Sequence, residues 1–167
     1  MIATNGNGEA ITMDFITHYV NSGRLFAFYM EDTDIDAVDT VSMLISTGNK
    51  ELHISFNLES FGGQTIAQIY EDSEINANGN PITISAFNRT HCGCIETKFF
   101  LSPTVAQNGD RFVYRRVLSH AQGNSGVTSS VVESAFRVFK PRTNYLLTLN
   151  AAADNTTATL VGVFYEE

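Results

Sequence analysis

Between residues 52 and 58 the chain alternates without a slip. Leu52, Ile54, Phe56 and Leu58 are apolar, and His53, Ser55 and Asn57 between them are polar. Only a β-strand places side chains two apart on one face, so this run buries one side and wets the other as a strand. Similar β-prone runs recur at 41–47, 65–70, 82–87, 95–101, 111–118, 145–150 and 157–165. Gly48-Asn49-Lys50, Phe61-Gly62-Gly63, Pro103, Pro141 and Asp154-Asn155 punctuate them. The twelve Phe and six Tyr suit strands, and the three Pro fall mostly at breaks. About ten short strands at this spacing predict an all-β fold, an antiparallel β-sandwich of jelly-roll-like type.

Two segments need arbitration. Residues 14–20 and 24–30 are β-prone and aromatic, with Asn21-Ser22-Gly23 between them, which predicts a hairpin. Val131, Val132, Ala135, Phe136 and Phe139 fit a helical period, but their β-branched and aromatic character favours a strand over 131–140. A weak internal repeat is also present. "SEINANGNPITI" at 73–84 resembles "PTVAQNGDRFVY" at 103–114, thirty residues on, with Ile75 matching Val105 and Asn78-Gly79 matching Asn108-Gly109. Each Asn-Gly predicts a tight type I′ turn, so the repeat reads as a hairpin geometry used twice. At 167 residues the chain suits one sandwich domain over 13–167, preceded by a flexible arm over 1–12. The opening MIATNGNGEA lacks the basic and apolar regions of a signal peptide and has little to bury.

Charge narrows the partners. The net charge is −8, against the basic balance expected of a general nucleic-acid binder, so no nucleic-acid partner is expected. The charge is uneven: residues 1–80 carry twelve acids against Arg24 and Lys50, whereas residues 81–167 carry six acids against eight bases. No apolar run is long enough for a transmembrane helix, and no membrane partner is expected. Two cysteines do not form a secreted disulfide framework, which fits synthesis in a reducing cytoplasm.

The densest group of soft ligands is "FNRTHCGC" at 87–94, with His91, Cys92 and Cys94. A structural zinc site takes four ligands, usually as two separated pairs, and no second pair exists; the stretch reads as a loop or the start of a strand. Asp32, Asp34, Asp36 and Asp39 begin like a calcium loop, but Ala37 and Met43 stand where an EF-hand needs Gly and Glu. A solvated acidic loop is expected, with a different kind of calcium loop as the alternative. There is no nucleophile elbow, P-loop or zinc-protease motif, and neither catalytic residues nor a cofactor is expected. Arg115 and Arg116 fall on opposite faces of a regular strand, which turns one inward or into an interface; the alternative, and the blander reading, is ordinary surface arginines.

The stretches "YEDSEINANGNPITISAFNR" (70–89), "LSPTVAQNGDR" (101–111), "KPRTNYLLTLNAAADN" (140–155) and "VGVFYEE" (161–167) together resemble the head decoration, or cement, proteins of tailed bacteriophages. These are small virion proteins built on a β-sandwich. "THCGC" departs from that pattern after "FNR". The resemblance implies a non-enzymatic protein that is made in the host cytoplasm and binds the outer surface of the capsid. It implies the major capsid protein as partner and a homotrimer as the free form. The contact regions expected on this basis are the arm with Asn5, Asn7 and Glu9, the loop with Asn88, Arg89 and His91, the pair Arg115 and Arg116, and the loop 119–127 with His120 and Asn124. The alternative is a carbohydrate-binding or host-attachment module of a phage tail or fibre. Without Trp, its aromatic contacts would fall to Tyr19, Tyr29 and Tyr114.

Overall fold

The computed structural model describes residues 2–4, 10–12, 15–117, 129–132 and 136–167. In chain order the elements are β1 (Ile2–Thr4), β2 (Ala10–Thr12), α1 (Phe15–Asn21), β3 (Phe26–Ile35), β4 (Thr40–Ser46), β5 (Leu52–Phe61) and β6 (Thr65–Glu71). Then come β7 (Glu74–Ala77), β8 (Asn80–Pro81), β9 (Ile84–Ala86), β10 (Lys98–Leu101), β11 (Thr104–Gln107) and β12 (Asp110–Val117). β13 (Ser129–Val132), β14 (Arg137–Phe139), β15 (Asn144–Ala151) and β16 (Thr156–Glu166) complete them. Every pairing between strands is antiparallel.

Two sheets form the sandwich. One runs β12-β6-β15-β4-β10-β8, and the other β13-β5-β16-β3-β9 with β14 also on β5. The alternation at 52–58 becomes a strict buried–half-buried pattern along β5. Its inward side chains meet those of β16, β3, β4 and β15 in one core. Phe99 bridges the sheets, with its ring 4.8 Å from Phe28 and 4.9 Å from Phe164. The two last strands sit inside the two sheets: β15 lies between β6 and β4, and β16 between β5 and β3.

The hairpin expected over 14–30 is not formed. Phe15–Asn21 is a helix, and only the second run becomes a strand. Asn21-Ser22-Gly23 is the helix's C-terminal cap. Arg24 N donates to Tyr19 O at 2.9 Å and Gly23 N to Val20 O at 3.0 Å, with Gly23 at φ 68°, which is a Schellman motif. Tyr19 is buried against Tyr165 with ring centroids 4.1 Å apart, and Val20 and Val163 join them. That packing on the outer face of β16 outweighs the strand propensity of the segment. Over 131–140 the strand expectation holds in two pieces, β13 and β14, both on β5. Within the segment expected as an arm, β1 pairs with β2.

The repeat is built differently from two separate hairpins. The two copies pair with each other: β7 and β11 form a ribbon in which Val105 faces Ile75. The strand after each Asn-Gly pairs with the strand before the other copy, β12 with β6 and β8 with β10. Asp72 and Ser102, thirty residues apart, both take left-handed backbone, at φ 57° and 52°. Gly79 packs on Leu101 O and Gly109 on Glu71 O, again a matched pair. The six-stranded sheet therefore has an approximate twofold between β15 and β4. No type I′ turn forms, since only Gly79 of these four turn residues has positive φ. The clasp between copies dictates the connection instead.

Candidate functional site

The loop 87–94 is organised by one side chain. Asn88 Oδ1 accepts from Thr90 N (3.1 Å), Thr90 Oγ1 (2.8 Å) and His91 N (3.1 Å). Its amide donates to Asn21 O at 3.4 Å. Phe87 N donates to Leu25 O at 3.0 Å and Gly93 N to Gly23 O at 2.8 Å, which ties both ends of the loop to the segment after α1. A Cβ on Gly23 would meet His91 O at 2.2 Å, so the helix cap also seats the loop. What the loop leaves outward is Phe87, 49% exposed, with Arg89, His91, Cys92 and Cys94. Both cysteines are free thiols, and Cys92 Sγ donates to Gly93 O at 3.4 Å. Among the described residues no three His, Cys, Asp or Glu side chains are grouped to hold a metal ion.

Beside this loop, β8 and β9 are the last strands of their sheets among the described residues. Ile82, Ile84, Ile95, Thr97, Phe99 and Phe100 line a groove of about 250 Å³. Thr97 is 2% exposed, and its hydroxyl has no hydrogen-bond partner among the described residues.

The opposite edge is β12, which has β6 on one side and no strand on the other among the described residues. Arg111, Phe112, Tyr114, Arg115 and Arg116 are all exposed there. Phe112 and Tyr114 keep 45% and 48% of their surface, and Arg111 lies over the Tyr114 ring at 5.5 Å. The expected division of the two arginines is present in direction. Arg115 falls between the buried Val113 and Val117 and lines a small apolar cavity of about 30 Å³, while Arg116 points the other way.

The acidic run is only partly a loop. β3 carries Glu31, Asp32 and Asp34, and the turn follows with Asp36 and Asp39. The turn is pinned by Asp154 Oδ1, which accepts from Ala37 N at 2.9 Å, and by Asp36 Oδ1, which accepts from Asn155 N at 3.4 Å. Val38 stands at the tip, 91% exposed.

Buried titratable groups serve the scaffold. Tyr145 donates to Glu71 Oε1 at 2.7 Å and accepts from Lys140 N at 2.8 Å, while Lys140 Nζ reaches Glu71 Oε2 at 2.9 Å. Burial, then the hydrogen bond to Glu71, push the Tyr145 hydroxyl far above the usual phenol range. The hydrogen bonds from Lys140 and Tyr145 hold Glu71 below the usual carboxylate range. Glu166, 5% exposed, accepts from the backbone of Glu96 (3.0 Å) and Thr97 (2.7 Å). His53 stacks on Tyr165 at 4.5 Å, and burial lowers its pKa against the opposing pull of Glu51.

Of the contact residues expected from sequence, Asn88, Arg89 and His91 share the loop 87–94, and Arg115 and Arg116 share β12. The two groups lie at opposite edges of the sandwich. Asn88 is half-buried and works within its own loop. Asn5, Asn7, Glu9, His120 and Asn124 lie outside the described residues, as does the loop 119–127. Sequence reasoning missed Phe87, Phe112 and Val38 as exposed apolar groups. An unpaired edge strand and a turn tip leave no mark in periodicity. No helix among the described residues is long and apolar enough to cross a membrane.

No protein-family model matches this chain, and no curated protein matches it. Among solved structures it is similar to the VP2 subviral particle of infectious bursal disease virus, with a TM-score of 0.20 and 17% identity over 86% of this chain and 41% of that one. The Gt strain of the same virus gives a TM-score of 0.19 and 14% identity over the same shares. The Gx strain gives 0.22 and 13%, again over 86% and 41%. The chain thus spans about two fifths of the length of these matched chains, and TM-scores of this size do not establish a common fold.

Proposed function

We propose that this chain is a non-enzymatic virion structural protein that binds the outer surface of a capsid and stabilises the head. Its partner on this reading is the major capsid protein, and its own form a homotrimer. The observation that carries it is the loop 87–94. Asn88 and the α1 cap fix the backbone, so an exposed Phe, Arg and His are presented without a backbone ordering cost at the moment of contact. A large apolar side chain flanked by Arg is the composition of an interface anchor. The apolar groove of the β8–β9 edge lies next to the loop and enlarges the same surface. The sequence resemblance supports the reading too, because the stretches at 70–89 and 101–111 build the clasped repeat that supports this edge. A ligand that binds the assembled lattice better than its loose subunits strengthens the shell by mass action.

The test is to mix the purified protein with empty mature capsids and, separately, with host cells. Saturable binding to capsids at a fixed stoichiometry, weakened by Phe87→Ser with Arg89→Glu, is expected, together with a raised melting temperature of the capsids. Binding to cells alone, released by free sugars, would replace this function with host attachment.

A further inference from the structure

We propose that copies of this chain join head to tail, with the β12 edge of one seated on the acidic β3–β4 turn of the next. The first surface is Tyr114 with Arg111 over its ring and Arg116 on the same outward face of β12, a strand with one side open among the described residues; Phe112 is turned the other way, its ring edge-on to Phe139 and Tyr145. The second is an apolar knob, Val38, rimmed by Asp34 and Asp39, and no Lys or Arg lies between Arg24 and Lys50. Each surface has what the other lacks: a knob for an aromatic seat, and carboxylates for guanidinium groups.

Position supports the match. Arg116 faces Ile66, Ile66 faces Asn150, and Asn150 faces Thr40, the residue after Asp39. Arg116 therefore lies level with the turn, about 14 Å away across the sheet at the usual strand spacing, with Tyr114 two residues further along β12 and Arg111 towards its other end. Such surfaces cannot meet within one molecule, but neighbours related by rotation bring them together at one level. Two different patches make a heterologous contact, which closes into a ring when the rotation divides the circle. Asp154 accepts from Ala37 N and Asp36 from Asn155 N, which ties this turn to the one between β15 and β16 and holds the knob in shape. The inference specifies the contact behind the homotrimer proposed above. Its test needs no capsid, so it fails separately from the capsid reading.

The experiment is sedimentation velocity on the full chain. The wild type is expected to associate at protein concentrations of about 100 µM or below, with the association constant falling roughly tenfold or more between low and high salt. Arg111→Glu with Arg116→Glu is expected to give monomer, as is Asp34→Lys with Asp39→Lys. All four changes together restore the ring, because every contact is again between opposite charges. Far-UV circular dichroism confirms that each variant is folded; if one is not, the salt dependence of the wild type decides. A wild type that stays monomeric overturns the proposal. So do association indifferent to salt, a folded reversal variant that still associates, and a folded fourfold variant that does not.

Discussion

Gly79→Ala and Gly109→Ala test the clasp between the two copies of the repeat. Gly79 stands at φ +86°, and a Cβ there would lie 2.1 Å from Leu101 O. At Gly109 it would lie 1.6 Å from Glu71 O. Neither neighbour is a side-chain tip that can swing away; both are backbone, held in β10 and β6. For Gly79 the left-handed backbone costs an L-residue about 1–2 kcal/mol. Overpacking adds about 1–3 kcal/mol. The stiffer unfolded chain returns about 0.4–1 kcal/mol, for a net loss of about 1–4.5 kcal/mol. Gly109 lacks the left-handed cost, so its net loss is smaller, up to about 2.5 kcal/mol. Against a typical total of about 5–15 kcal/mol, the Gly79 loss is easily resolved. The assay is urea unfolding followed by circular dichroism and tyrosine fluorescence, since the chain has no Trp. Gly93→Ala, whose nearest contact would be Gly23 O at 3.2 Å, is the milder control. If Gly79→Ala and Gly109→Ala both unfold within about 0.5 kcal/mol of the wild type, the copies do not clasp one another as described.

Tyr145→Phe removes a hydroxyl that serves both Glu71 and the Lys140 amide, and about 1–3 kcal/mol of stability should go with it. In a Glu71→Gln background the same change should cost less, and equal costs in a double-mutant cycle would dissolve the network. His53 is held below its ordinary value of about 6.5, so the stability it contributes is present above that pH and lost as pH falls through the folded value. Melting temperature should therefore fall less steeply below about pH 6.5 in His53→Gln than in the wild type, and parallel curves would exclude His53 as the cause. Val113→Ile adds one methylene beside the 30 Å³ cavity and is expected to stabilise by about 0.8 kcal/mol, read by urea midpoint; a lower midpoint would mean that the space is not accessible to it.

Most of the sandwich was legible, because burying one face of a strand writes a period of two into the chain. The run Leu52–Phe61 carries that period with little ambiguity. The segment 14–20 misled for a definite reason: Ile16, Thr17, Tyr19 and Val20 favour strands locally, and the seat that makes them helical is Tyr165 and Val163, well over a hundred residues away. A signal for the helix was nonetheless present, since Gly23 suits a helix end as well as a hairpin. Repeat spacing revealed two equivalent segments but not that they bind each other, because pairing partners are not encoded in a self-match. The exposed surface was half legible. Arg89, His91, Arg115 and Arg116, expected as contact residues, are exposed, whereas the exposure of Phe87 and Phe112 depends on which strands are left at the rim.

The placement of β15 and β16 inside the two sheets has a consequence for biosynthesis. Until Asn144–Glu166 has left the ribosome, each layer is split down its middle, and β4, β5 and β3 wait with adhesive flanks uncovered. A nascent or prematurely terminated product therefore has no stable halfway form. It would stick to its siblings or be cleared by proteases, so only chains translated through to these strands would reach the folded state.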